Sequence, residues 1–175
     1  MEANMSDRTE RIRKISNLLY VLCAVLTVAL LVCAAACISL GIVAPNVQEI
    51  VDASVTHYGS VDNAVVEFMF GAVDMILMAV VTLLAGLMFR NMSRTYTPFD
   101  NGNPAMLMLM GHVTLFSGLA IPVFRYIVTS SLGCGPYTFD IVHVFTMIVI
   151  AVILYCASLI FEYGALLQKE SDETL

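Results

Sequence analysis

Four apolar stretches, at about residues 18–44, 64–89, 105–128 and 139–166, are each long enough to cross a bilayer. Roughly 20 residues of helix suffice for a 30 Å hydrocarbon core. Inside lipid the backbone N–H and C=O groups find no water, so a crossing segment must bond them internally, as a helix does. The expected fold is therefore all-α, an integral membrane four-helix bundle forming one domain over residues 1–175. Short connections make adjacent helices antiparallel. Only 13% of residues are charged, about half the usual share of a soluble domain, and they crowd between the stretches.

The first stretch follows Arg8, Arg11, Arg13 and Lys14. Its apolar run is about twice the length of a cleavable signal's hydrophobic region, so an uncleaved helix is expected. A lipoprotein-type cysteine at Cys37 would want Leu three residues earlier, where Ala34 stands. Pro45 ends the run, and Val47, Ile50, Val51 and Val55 then follow a weak pattern compatible with a short interfacial helix. Between the second and third stretches lies Thr97-Pro98-Phe99-Asp100-Asn101-Gly102-Asn103-Pro104, a turn-forming run. Pro122 interrupts the third stretch near its outer end, and membrane helices tolerate this where neighbours satisfy the freed carbonyl.

Lys and Arg near the ends of crossings set orientation, and acids contribute little. With the N-terminus inside, Arg8, Arg11, Arg13, Lys14, Arg90, Arg94 and Lys169 are cytoplasmic, and Arg125 alone is outside. Both termini are thus expected in the cytoplasm, with the chain in the cytoplasmic membrane. Eight basic residues and a net charge of −6 offer no face for nucleic acid. Four of the five cysteines, Cys23, Cys33, Cys37 and Cys156, lie in apolar stretches as small hydrophobes, and Cys134 falls in an external loop. No disulfide framework is expected.

An ionisable residue within a crossing marks a candidate site. Asp74 stands about ten residues into the second stretch, near its middle. A central Asp costs about 2.5–3.5 kcal/mol on insertion, which the surrounding Val, Leu, Ile and Phe offset, so the carboxyl must face protein or water. Glu67, Gly71, Asp74, Met78 and Ala85 share one helical face, the small-and-polar stripe of a helix–helix contact. Gly111, Gly118 and Arg125 recur at heptad spacing on the third stretch. Arg125 is level with Glu67, Asp140 and His143, and we expect it to pair with one of these acids, Glu67 by preference. Snorkelling to headgroups is the plainer alternative for these residues. For Asp74 the alternatives are a structural hydrogen bond across helices and a proton or ion pathway. His112 has no second ligand at a helical offset and reads as a bundle histidine.

Catalytic constellations are missing: no His-Glu-x-x-His, nucleophile elbow, phosphate loop or Cys-x-x-Cys occurs. An enzyme is not expected, and no metal or cofactor is implied. Bilayer lipid is the expected partner class, with another membrane subunit or a second copy of the chain as further candidates.

Thr97-Pro98-Phe99 with Asn103 resembles the Pro-Phe-x-x-x-Asn motif of a family of small prokaryotic membrane proteins. The closing run, with Phe161, Gly164, Leu167, Glu170, Asp172 and Thr174, resembles that family's C-terminal signature. The family is catalogued as domain of unknown function 2975. Pro104-Ala105-Met106-Leu107 departs from the basic stretch that often opens its third helix. The resemblance implies a four-span protein of the cytoplasmic membrane with no assigned activity, often encoded beside a small helix-turn-helix regulator. Both motifs lie at the cytoplasmic face, where loop and tail are expected to latch together or to dock a partner. The function expected is a regulatory or sensor component acting through interaction. The competing reading is a small transporter or channel-like subunit using Asp74.

Overall fold

A computed structural model of the protein describes residues 2–95, 99, 102–133 and 140–173. Five α-helices make up nearly all of it: α1 (Glu2–Val43), α2 (Gln48–Tyr58), α3 (Val61–Thr95), α4 (Gly102–Leu132) and α5 (Ile141–Glu173). Four of them are long and apolar enough to cross a membrane. This is a multi-pass membrane protein with an all-α bundle.

The helices outrun the apolar stretches. At 1.5 Å per residue, the 42 residues of α1 reach about 63 Å, twice the hydrocarbon thickness. Its polar start is held in helix by good helix formers and by the pair Glu10–Lys14, at 2.8 Å one turn apart. At the other end of the chain, Lys169 and Glu173 make the same i, i+4 arrangement, at 3.8 Å. Charged ends therefore extend all three of α1, α3 and α5 past the lipid-matched segment.

Local chemistry sets the breaks. Pro45 lies in a single 3₁₀ turn, Ala44–Asn46, that closes α1. The short helix anticipated from residues 47–55 is α2, and it stops at Gly59, whose φ of 79° needs a residue without Cβ. The Oδ1 of Asp140 accepts the His143 backbone N–H at 3.1 Å and so caps the start of α5. Pro122 does not break α4, which runs on to Leu132 with Pro122 buried against its neighbours.

Contacts run in the order α1, α3, α4, α5, and α2 leans on α3. Register follows from a few close pairs. Thr27 meets Thr82 and Asn17 meets Ser93 between α1 and α3. Glu67 meets Arg125 and Asp74 meets Ser117 between α3 and α4, and Pro104 meets Ser158 and Gly111 meets Tyr155 between α4 and α5. Each pair steps in opposite directions along its two helices, so all neighbours are antiparallel.

The row is open. Accessible area is 11140 Å², against about 8,400 Å² expected for a compact soluble monomer of this mass. In α4, 44% of the most apolar window is buried, and in α1 and α5 only 11%. The outer faces of α1 and α5 carry exposed Leu18, Val25, Ile153 and Leu159 among many others, the surface that lipid covers. A small core of Met88, Leu107 and Met110, flanked by Leu84, Phe89, Leu154 and Phe161, sits toward the end that carries both termini.

Candidate functional site

Helix α4 presents one continuous inner face: Asn103, Leu107, Met110, Gly111, Thr114, Ser117, Gly118, Ile121, Pro122 and Thr129 are all buried. Spacings of three, four and seven put them on one side of a helix. The hydroxyls do not go unbonded. Thr114 donates to the Met110 carbonyl at 2.9 Å, and Thr129 to the Arg125 carbonyl at 2.9 Å. Ser117 is different, because its Oγ donates outward to Asp74 Oδ1 on α3, at 2.9 Å.

Two polar joints therefore tie α3 to α4. The first is Asp74–Ser117, in the middle of the apolar stretch. In the second, the Arg125 guanidinium pairs with the Glu67 carboxylate, their side chains 19% and 27% exposed. The expected partner of Arg125 is the one found. Seven residues separate Glu67 from Asp74, so the joints lie about 10 Å apart along the helix.

His143 enters from α5, partly buried, and is near enough to Asp74 to act on it electrostatically. Its height follows from two close approaches, Gly118 against Met147 and Gly111 against Tyr155. These put His143 between the two joints. The structure thus gathers Glu67, Arg125, Asp74 and His143 into one polar column, and adds Ser117, which the sequence reading passed over. Ser117 faces α3, beside the Gly111 and Gly118 stripe that faces α5, and its position one residue before Gly118 was the available signal.

His112 stands apart. Its ring is exposed, its Nδ1 lies 2.8 Å from the Met108 carbonyl, and it packs edge-on to Tyr155 at 5.3 Å between centroids. Gly71 also departs from the expected contact stripe, since a Cβ there would meet nothing. A second stripe takes its place: Ala72, Ala79 and Gly86, all buried, face α1, and Gly86 lies under Cys23 and Tyr20. Sandwiching α3 between two helices requires two small-residue faces, and the sequence reading gave it one. Among the described residues, no three His, Cys, Asp or Glu side chains come together as a metal site requires.

At the terminus-bearing end the loop and the tail meet. The Phe99 ring packs edge-on to Phe161, 5.7 Å between centroids, and lies so close over Gly164 that any Cβ there would strike it. Asn103 is fully buried at the start of α4, while Leu167 and Glu170 are exposed along α5. Pro98, Thr174 and Cys134 lie outside the described residues, as does the side chain of Asp172. Near this end Arg90 stands over the Tyr20 ring, 5.9 Å from its centroid, and Ser93 donates to Asn17 at 2.9 Å.

No family model, curated protein or solved structure matches the chain.

Proposed function

We propose that this protein is a regulatory or sensor component of the cytoplasmic membrane, acting through contacts made at its cytoplasmic end and not through catalysis. One observation carries the reading: Phe99 of the α3–α4 connection is seated on Phe161 and Gly164 of α5. The connection and the tail are the two stretches that resemble domain of unknown function 2975. Their meeting makes one surface from parts distant in sequence, and a partner reading that surface would sense how α4 and α5 are packed.

Orientation supports the same end as the inner one. Arg11, Arg13 and Lys14 on α1, Arg90 and Arg94 on α3, and Lys169 on α5 share it, and Arg125 is the lone basic side chain toward the other. Meanwhile Glu67, Arg125, Asp74 and Ser117 are engaged between helices. The partner class is a small helix-turn-helix regulator, as the resemblance implies.

The test is co-purification of the full-length chain from its host in mild detergent, with recovered proteins identified by mass spectrometry. A helix-turn-helix regulator is expected with the wild type. Gly164→Leu displaces Phe99 and is expected to cut its recovery about tenfold, the equivalent of 1.4 kcal/mol. Recovery unchanged by Gly164→Leu, or no regulator at all, contradicts the proposal.

A further inference from the structure

We propose that Asp74, Ser117 and His143 form a proton-binding site in the middle of the membrane, loaded from the end of the bundle that carries Arg125. The proposal stands apart from the regulatory reading and needs no partner protein.

The geometry points to it in three steps. Asp74 Oδ1 accepts the Ser117 hydroxyl at 2.9 Å across the α3–α4 interface, which leaves Oδ2 to take a proton. Pro122 lies inside α4 and has no N–H, so the Gly118 carbonyl lacks its intrahelical donor. This adds an acceptor one residue after Ser117, near Asp74 in height. Finally, His143 stands on α5 four to five residues nearer the Arg125 end, within electrostatic reach of Asp74. At 1.5 Å per residue that offset is about 7 Å of height along the bundle.

The groups around Asp74 limit what else it can hold. From α3 the nearest other acid is Glu67, which Arg125 of α4 holds in an ion pair, and Asp62 lies at the helix start. From α5 come His143 and, above it, Asp140, whose carboxylate caps the helix. Helix α1 packs on the opposite side of α3, and its titratable groups near this height are the thiols Cys33 and Cys37. Glu49, Asp52 and His57 on α2 lie exposed beyond the apolar stretch. Ca²⁺ takes six or more oxygens and Zn²⁺ a cluster of His, Cys or carboxylate ligands, and among the described residues no three such side chains come together here. A proton needs one.

The transfer balances simply. An imidazolium at His143 releases its N–H proton, that N–H bond breaks, and an O–H bond forms at Asp74 Oδ2. A cation and a carboxylate become two neutral groups, and His143 regains its proton from water at the Arg125 end. Asp74 remains bonded to Ser117, so loading changes the charge of the α3–α4 joint without dissolving it.

Two measurements on the full-length protein in lipid nanodiscs test this. The first treats the wild type with dicyclohexylcarbodiimide, which reacts with protonated carboxyls in apolar surroundings, and finds the adduct by mass spectrometry. Label at Asp74 that forms faster as the pH falls, and then levels off, is expected. No label at Asp74 at any pH, or a pH-independent rate, overturns the site. The second follows the infrared carboxyl band after a pH jump. His143→Ala is expected to slow its appearance about a hundredfold, the low end of what a positioned proton donor contributes. An unchanged rate overturns the relay, and a band that survives in folded Asp74→Asn assigns the proton elsewhere and overturns the site.

Discussion

Arg125 on α4 and Glu67 on α3 form an ion pair that joins the two central helices near the end opposite the termini. Both side chains are mostly buried, so each would stand as an uncompensated charge without the other. Reversing one charge, as in Glu67→Arg, is expected to destabilise the protein by about 3 kcal/mol, the lower end for a broken buried pair because both groups keep some exposure. The double reversal Glu67→Arg with Arg125→Glu should recover most of that loss. Thermal unfolding in detergent measures both, and absence of recovery contradicts the pairing.

Close packing of α5 on α4 depends on glycine at two levels. A Cβ at Gly111 would lie 2.7 Å from Tyr155 Cε1, and one at Gly118 would strike Met147. Gly111→Ala is expected to cost about 1–3 kcal/mol by overpacking. Gly71→Ala is the internal control: a Cβ there meets nothing, and the gain in helix propensity is up to about 1 kcal/mol. Equal effects of the two substitutions on unfolding would remove the distinction.

Thr27 and Thr82 hydrogen-bond across the α1–α3 interface at 2.9 Å. Interhelical hydrogen bonds in membranes average about 0.6 kcal/mol, so Thr27→Val should lose about that much. Combining it with Thr82→Val is expected to cost less than the two single losses added, because after Thr27→Val the Thr82 hydroxyl keeps only its bond to the Ala79 carbonyl, at 3.0 Å. A double-mutant cycle with additive losses would speak against a shared bond.

How much of this was legible in the sequence differs by level. Four crossings follow from apolar length alone, because lipid imposes one solution on the backbone. The Glu67–Arg125 pair was legible too, since both residues were placed by depth and only a few charges compete at that level. Register between α1 and α3 was not. Tyr20 and Thr27 are polar members of the first apolar stretch, but nothing in a single chain says which residue of another helix lies opposite. The Ala72, Ala79 and Gly86 face was hidden for a related reason: small residues mark a contact without saying how many neighbours a helix has. Helix ends were underestimated because Glu, Lys and Arg form helix well in water, and apolarity stops marking the helix where the lipid ends.

The most direct test concerns the crossings themselves. All five native cysteines are replaced by alanine, and single thiols are introduced as His57→Cys, on α2, and as Glu173→Cys, at the end of α5. A membrane-impermeant maleimide is then applied to intact cells. Label on His57→Cys alone, with Glu173→Cys reacting only after permeabilisation, is the expected result. Label on Glu173→Cys in intact cells, or protection of His57→Cys until the cells are opened, contradicts it.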